Sequence, residues 1–491
     1  MDIDEILLAH GHKKQSIDSD TTPPSPITQF VATAGNNQIT LNWINPTDAD
    51  FVGTRIQRST TSYPTSPTDG ATIFNGGGAS FIDAEAISGT TYYYSAFPYD
   101  GANNFNTNSS QRVSAASITY KIYTVIIDTN NSNPSTSVTY ADDAVGMVAG
   151  SSNWDNIFPY NEIKPVLFLN GAVNTYLNPN NFAQRADGTT VNITNGTLGD
   201  VMIQFPKVYA YIRKVGNLTY VSLSKDKVNA NYKCYAHTKS GIEKDYLYIG
   251  AYHGTISSSR LRSLSGVTGA TNINLSTFRT NATANGTGYQ LYSYYQHLMV
   301  QVLYLIKYKN LNSQSTIGRG YVSSSNAAPI ANGTMNTRGM TYGDTAYGTT
   351  GGMKLFGIEN LWGSLFQFTD GILLKSDFEL FISSSNDNFN DSATGYTSYS
   401  TINDLLGYIN DVFGTTELGF FPSSTDASST TYYSDSCFLS NDTPSSDHIL
   451  LTGSDWNSDN GDSEQAGIFY TDMWYPSNIT KAGIGARLTY L

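Results

Sequence analysis

The chain has 491 residues, which is too long for one ordinary hydrophobic core and fits two or three domains. Charged residues make up 14% of the chain, against about 25% in an average soluble protein, so uncharged polar residues and tyrosine must form much of the surface. A hydrophobic content of 39% excludes a chain that is disordered throughout.

The net charge of −13 lies almost wholly in the last quarter of the chain. From Gly363 onward there are 17 acidic residues and 3 basic ones. Such a surface repels phosphate backbones, and no cluster of Lys and Arg with interleaved aromatics occurs elsewhere. The composition therefore argues against nucleic-acid binding.

No apolar run reaches the 18 or more residues that a membrane helix requires, because Gln301 interrupts the longest candidate, residues 298–306. Three of the first five residues are acidic, and the N-terminus does not resemble a secretory signal. We expect no membrane insertion. Cys234 and Cys437 are too few for a disulfide framework, so both are expected to be reduced thiols.

The N-terminal part of the chain divides into a peptide and a β-sandwich. Residues 1–23 combine a short amphipathic stretch with a proline-rich linker, which we interpret as an attachment peptide, a frayed terminus being the alternative. From Ile27 the hydrophobic period changes to two, with Ile39, Leu41 and Trp43 on one face. About seven short strands over residues 24–118 predict a β-sandwich.

This segment resembles a fibronectin type III domain. Trp43 matches the core tryptophan of the second strand, and Gly89-Thr90-x-Tyr92 matches the tyrosine corner. The resemblance implies a spacer or adhesive module without chemistry of its own.

A second domain is predicted for residues 160–491, with residues 119–159 as a connecting segment. It contains a β-rich stretch at 201–215 and a helical stretch at 289–308. Long polar tracts at 383–400, 422–436 and 440–462 follow, and such loops are normally functional or disordered. The fold class predicted for the whole chain is thus β-rich and multidomain, a sandwich followed by a mixed α+β domain with long loops.

Several ordered segments of residues 160–491 resemble the C-terminal domains of bacteriophage tail and receptor-binding proteins. The segments are 200–209, 248–252, 261–266, 312–315, 357–368 and 483–488. Trp362-Gly363 and the closing Gly485-Ala486-Arg487-Leu488 also resemble the C-type-lectin-like fold of formylglycine-generating enzymes and phage receptor-binding proteins. The resemblance implies irregular loops displayed on a small scaffold.

Two departures limit what the resemblance implies. The oxidases of that fold use paired cysteines, whereas Cys234 and Cys437 are isolated, so oxidase activity is not implied. Where relatives have an aromatic-acidic-aromatic segment, this chain has Phe366-Gln367-Phe368, which predicts a retained core with a changed polar contact.

Sugar recognition needs flat aromatic faces and neutral hydrogen-bonding groups, and the polar C-terminal tracts contain both. The candidate glycan-binding residues are Tyr432, Tyr433, Trp456, Asn457, Tyr470 and Tyr475. We expect Trp456 and the Tyr432-Tyr433 pair to be displayed and Trp474 to pack in the core.

Alternating oxygen ligands in residues 455–464 suit a calcium ion. The candidate ligands are Asp455, Asn457, Asp459, Asp462 and Glu464. An EF-hand is excluded because its twelfth position is Ala466. A looser calcium loop and an acidic solvent-exposed turn both remain open.

The sequence thus predicts a non-enzymatic virion protein, a tail fibre or receptor-binding protein that binds a host surface polysaccharide. Its N-terminus would attach to other tail proteins, and we expect a homotrimer by analogy. Two alternatives stay open: a purely structural tail or baseplate part, and a depolymerase with paired carboxylates. Candidates for such a pair are Asp370, Asp377, Glu379, Asp455 and Asp472.

Overall fold

The computed structural model describes residues 20–108, 110–322, 326–343, 351–439, 447–457 and 467–491. The predicted attachment peptide falls almost entirely outside this range. The molecule is β-rich and divides into two compact units, residues 1–120 and 121–491.

The first unit contains seven strands in two antiparallel sheets. Strands β1, β2 and β5 form one sheet, and β4, β3, β6 and β7 form the other. The strands are β1 (Thr28–Gly35), β2 (Gln38–Ile44), β3 (Phe51–Ser59), β4 (Ala71–Gly76), β5 (Ser80–Asp83), β6 (Thr91–Asp100) and β7 (Arg112–Ala116).

The core of the first unit follows from the two-residue period of the sequence. Ile39, Leu41 and Trp43 point inward from β2 and pack with Tyr94 of β6 in one hydrophobic cluster. The Tyr92 hydroxyl accepts a hydrogen bond from the backbone N–H of Ile87 at 3.2 Å, which ties the preceding loop to the strand. This is the contact that the Gly-Thr-x-Tyr pattern predicts.

The second unit is built from many short strands and few helices. Its helices are α1 (Leu275–Thr283), α2 (Tyr294–Tyr308) and α3 (Ser313–Thr316), with 3-10 turns at Ser152–Asn156, Tyr160–Glu162 and Tyr235–His237. Its strands are β8 (Ile122–Asp128), β9 (Val138–Asp142), β10 (Lys164–Leu169), β11 (Ala172–Asn178), β12 (Asn181–Arg185), β13 (Asp200–Pro206), β14 (Tyr209–Val215), β15 (Leu218–Ser224), β16 (Thr238–Lys239), β17 (Ile242–Glu243), β18 (Tyr246–Gly250), β19 (Thr255–Ser257), β20 (Arg260–Arg262), β21 (Tyr289–Leu291), β22 (Lys354–Leu355), β23 (Ile358–Glu359), β24 (Phe366–Leu374), β25 (Glu379–Ile382), β26 (Thr397–Thr401), β27 (Leu405–Val412), β28 (Pro422–Thr425), β29 (Ser436–Leu439), β30 (His448–Thr452), β31 (Thr471–Asp472), β32 (Ile484–Gly485) and β33 (Leu488–Tyr490).

Three larger sheets organise these strands. One has the order β12-β11-β10-β13-β18-β33-β21, so the last strand of the chain lies between β18 and β21. A second has the order β14-β15-β8-β9. The third has the order β26-β25-β24-β30-β31-β29-β27-β28, with β32 paired to β24.

The segment 119–159 is not the simple connector that the sequence predicted. Its strand β8 pairs along its whole length with β15, and β9 pairs with β8. Trp154 is fully buried against the rings of Tyr123, Tyr140 and Tyr160. Most of the segment is therefore part of the second unit, because its alternating apolar residues need a partner sheet to cover them.

Helix α2 lies at the centre of the second unit, where every residue from Tyr294 to Lys307 is buried. Ser293 caps it: its hydroxyl accepts from the Gln296 N–H, and the Gln296 side chain accepts from the Ser293 N–H. The helix therefore begins at Tyr294. Residues 289–291, which the sequence predicted as helix, form strand β21 instead.

The Gly-Ala-Arg-Leu segment has a clear structural role. The fully buried Arg487 guanidinium donates to the Gln367 side-chain oxygen at 3.1 Å and to three backbone carbonyls, those of Gly250, Glu359 and Asn360. Gln367 also donates to Thr452 at 3.3 Å. Gln367 thus links the Arg487 guanidinium to Thr452 of β30.

Candidate functional site

Two of the aromatic residues proposed for glycan binding lie in the interior, so this part of the prediction is wrong. Tyr433 is 1% exposed and packs edge-on against Phe469, with ring centroids 5.1 Å apart. Tyr470 is buried between Phe366 and Phe438. Their polar neighbours in sequence suggested display, but Phe469 packs on the Tyr433 ring, and Phe366 and Phe438 pack on the Tyr470 ring.

The other proposed glycan-binding residues keep some exposure. Tyr432, Trp456 and Tyr475 are half-buried, and Asn457 is exposed. Lys481 lies 4.1 Å above the Tyr475 ring and donates to its hydroxyl at 2.6 Å, so this ring already has a cationic partner. Trp474, expected in the core, is also half-buried. These residues remain a predicted sugar surface.

The predicted calcium loop is only partly described. Asp455 is half-buried and accepts the Asn457 N–H at 3.2 Å, which forms a local turn. Asp459, Asp462 and Glu464 lie outside the described residues. In the first unit, the carboxylates of Asp20, Asp50 and Asp100 lie within 4.8 Å of one another, but Asp100 is already occupied by Asn104 and Ala102 donors.

Two of the carboxylates considered for a hydrolytic pair are buried and hydrogen-bonded. Asp370 is buried and accepts two hydrogen bonds from Arg279, each of 2.7 Å. Asp472 is buried as well and accepts the Trp474 N–H at 2.8 Å. Burial raises the pKa of Asp472 to about 7. Both groups have roles in holding local structure.

A cleft in the second unit combines aromatic, apolar and polar groups, and we call it the Tyr176 cleft. Its volume is about 760 Å3. Side chains of Tyr160, Ile163, Leu177 and Phe356, all buried, form its apolar floor. Exposed polar side chains surround that floor, namely Asp155, Asn161, Lys164 and Asn180.

An ion pair between a buried lysine and an exposed aspartate forms one wall of the Tyr176 cleft. The Lys307 ammonium, whose side chain is 6% exposed, lies 2.5 Å from the carboxylate of the exposed Asp155. It also lies 5.5 Å from the ring centre of Tyr160 and 5.9 Å from that of Phe356. Rings and carboxylate together compensate the charge, so this wall is electrostatically satisfied before any ligand arrives.

Hydrogen bonds hold the floor in place. The Tyr160 hydroxyl donates to the backbone carbonyl of Leu303 at 2.8 Å, and burial raises the pKa of this tyrosine well above its ordinary value. Tyr160 is therefore a neutral, fixed ring at neutral pH. The floor needs no rearrangement to accept an apolar ligand face.

Tyr176 is the accessible ring of the cleft, with 42% of its surface exposed. It extends from β11, its hydroxyl lies 3.3 Å from the Gln204 side-chain oxygen, and Lys164 lies 5.7 Å from its ring centre. An exposed ring with its hydroxyl anchored is a rigid platform on which a flat apolar ligand face can stack.

Sequence reasoning missed this cleft. Its lining residues come from segments near 155–165, 176–186, 307, 340 and 356, which are far apart along the chain. The available signal was local: Tyr160 and Asn161 follow Phe158-Pro159, and Tyr176 follows the polar pair Asn174-Thr175. This local pattern does not indicate that these side chains line the same cleft.

No helix in the described parts of the chain is long and apolar enough to cross a membrane.

Comparison with known proteins gives no family. No family model matches, and no curated protein matches. A spore cortex lytic enzyme, SleM of Clostridium perfringens, is similar at 19% identity over 21% of this chain and 30% of its own, with a TM-score of 0.16. A β-1,2-glucanase from Parabacteroides distasonis is similar at 25% identity over 20% of this chain and 13% of its own, with a TM-score of 0.17.

A third similar structure is the fibronectin type III domain of a human fibronectin type III domain containing protein 3. It has 16% identity, covers 21% of this chain and 93% of that domain, and has a TM-score of 0.18. The similarity to the two enzymes spans less than a third of either one. At these TM-scores, the similarities do not indicate what this chain does.

Proposed function

We propose that this chain is a receptor-binding protein of a bacteriophage tail and that its second unit binds a bacterial surface glycan in the Tyr176 cleft. The observation that carries the proposal is an exposed, anchored tyrosine ring above an apolar floor, bordered by amide and carboxylate groups. The sequence resemblance of residues 160–491 to phage tail proteins supports the proposal that the chain belongs to a phage tail.

The chemistry of a sugar ring matches this arrangement. One face of a pyranose carries C–H groups that pack on an aromatic ring, while its hydroxyls need donors and acceptors at the edge. Asn161 and Asn180 offer both kinds of group beside Tyr176. A single weak site gains strength when copies are tethered, so a trimer attached through its N-terminus fits this role.

The cleft favours retention of the glycan over its cleavage. Hydrolysis by acid and base requires two carboxyl groups on either side of the scissile bond. Of the described residues that line the cleft, Asp155 is the only carboxylate, and it is paired with Lys307. We therefore expect a binder that leaves the polysaccharide intact.

The test is retention of the purified full chain on bacterial cell walls, comparing Tyr176→Ala with Tyr246→Ala. Both tyrosines are 42% exposed on strands of the same sheet, but Tyr246 lies outside the cleft. Loss of the stacking ring should weaken retention about tenfold, equal to about 1.4 kcal/mol. The control variant should be retained like the unmodified chain.

Two results would contradict the proposal. If both variants were retained equally, the Tyr176 cleft would not be the glycan-binding site. Release of soluble saccharide from the walls would show an enzyme and refute a role limited to attachment.

A further inference from the structure

A second concave surface lies in the same unit but shares no lining residue with the Tyr176 cleft. We call it the Gln290 trough. It is formed by the turn of β16, the end of α1, strand β21 and residues 387–389, with a volume of about 640 Å3. The residues on which its chemistry depends are Lys239, Arg279, Gln290, Asp370, Asp387 and Phe389.

The Gln290 side chain has an unused hydrogen-bond donor. It is 7% exposed, and its carbonyl oxygen accepts a 2.8 Å hydrogen bond from the Lys239 ammonium. An ammonium group only donates, so this contact fixes which end of the amide faces Lys239. The amino end finds no acceptor among the described residues. A buried donor left unsatisfied is destabilising, and an acceptor from a ligand would satisfy it.

The Lys239 ammonium also has spare donor capacity. It uses one N–H on Gln290 and forms no ion pair with a described carboxylate. Partial burial lowers its pKa, while Asp387 acts in the opposite direction from a longer distance. Asp387 itself accepts from the Ser240 hydroxyl, which leaves one of its oxygens for a further donor.

The remaining charges of the trough cancel. Arg279 is held by two hydrogen bonds to Asp370 and by a further bond to Asp391. Lys239 lies within electrostatic range of Asp387 and Lys244, so Lys239, Lys244 and Arg279 carry three positive charges and Asp370, Asp387 and Asp391 carry three negative ones. A charged ligand would upset this balance, whereas a neutral ligand with both donors and acceptors would preserve it.

From these contacts we propose that the Gln290 trough is a second binding site, for a neutral saccharide whose adjacent hydroxyls accept from Gln290 and Lys239 and donate to Asp387. The half-buried ring of Phe389, which also lines the trough, provides an apolar face for the sugar ring. The site does not depend on the Tyr176 cleft, and a chain with both sites would contact a polysaccharide at two places.

The test uses NMR on the isotope-labelled full chain. The probes are glucose, galactose, mannose, fucose, rhamnose, N-acetylglucosamine and N-acetylgalactosamine, with glucuronate and inorganic phosphate as charged comparators. The side-chain amide signal of Gln290 is assigned by its disappearance in Gln290→Met, which keeps the apolar volume. We expect at least one neutral sugar to shift this signal in a saturable manner.

Two variants locate the binding. Lys239→Met should weaken the sugar's affinity about tenfold because a charged donor is lost. Lys164→Met, in the Tyr176 cleft, should leave the Gln290 shift unchanged. Denaturant unfolding of both variants checks that each remains folded.

Several outcomes would overturn this site. They are the absence of a Gln290 shift with every neutral sugar, tighter binding of glucuronate or phosphate than of any neutral sugar, and unchanged affinity in the folded Lys239→Met variant. Loss of cell-wall retention in Tyr176→Ala with an unchanged Gln290 response would separate the two sites. Unchanged cell-wall retention in Tyr176→Ala, with the Gln290 shift still present, would leave the trough standing and contradict the proposed function alone.

Discussion

Single buried side chains hold residues 467–474 against the rest of the second unit. The Asp435 carboxyl accepts the Phe469 N–H at 2.9 Å, and the His297 ring nitrogen lies 3.0 Å from the Ile468 carbonyl oxygen. Burial raises the pKa of Asp435 to about 8 and lowers the pKa of His297 to about 4. Both groups are therefore mostly uncharged in the folded protein near pH 7.

The raised pKa of Asp435 makes stability depend on pH in a defined direction. The folded state keeps a proton that the unfolded chain releases above about pH 4, so the stabilisation is complete below that pH and is lost as the pH rises to about 8. His297 acts oppositely, but only below about pH 6.5, where the unfolded chain takes up a proton. Between pH 6.5 and 8.5, the unfolding free energy should fall by about 1 kcal/mol or more.

The check is urea denaturation of Asp435→Asn across that pH range, with the exposed Asp404→Asn as control. The amide cannot ionise, so the first variant should lose most of this pH dependence while the second keeps it. A slope that is the same in both variants would show that Asp435 does not cause it.

At the scale of elements, the sequence predicted best those strands whose two faces differ. The alternation Ile39, Leu41, Trp43 in β2 appears in the structure as the buried face of a sheet. Helix α2 was predicted only as a helical stretch at 289–308. The helix is buried on all sides, so periodicity could indicate neither its start nor its surroundings. The start is decided by the capping residue Ser293.

The segment 119–159 shows the opposite case. Its strands β8 and β9 are short and pair with each other, and β15, the other partner of β8, lies about ninety residues later in the chain. Local patterns carry no signal for such distant pairing, so the segment resembled a linker with one strand. Its integration depends on the Trp154 cluster of rings.

We expect Trp154→Ala to destabilise the second unit by about 3–5 kcal/mol, since a fully buried indole and its contacts with three tyrosine rings are lost. Trp474→Ala, at a half-buried position, should cost less than half as much. Calorimetry or denaturant unfolding measures both. Similar losses for the two variants would mean that segment 119–159 contributes little to the core.

At the scale of the whole molecule, the fold class could be predicted and the site could not. Composition and periodicity predict a β-rich chain with more than one domain, because these properties sum over many residues. The Tyr176 cleft depends on which strands become neighbours, and β11 meets the Tyr160 turn only through the seven-stranded sheet. The C-terminal loops were predicted to bind glycan because their aromatic residues lie among polar residues, yet the structure buries Tyr433 and Tyr470.

The charge of the chain fits a binder that does not rely on ionic contacts. Both concave surfaces use rings, amides and compensated ion pairs, while the acidic excess belongs to the last quarter of the sequence. Glycan attachment of this kind should respond little to salt, since screening acts mainly on exposed charges.

The most direct measurement is a crystal structure of the full chain with an oligosaccharide taken from a cell wall that retains it. Our account predicts a sugar ring stacked on Tyr176 at about 4 Å, with hydroxyls bonded to Asn161 or Asn180. A saccharide bound only at Trp456 and Tyr475, with an empty Tyr176 cleft, would contradict it.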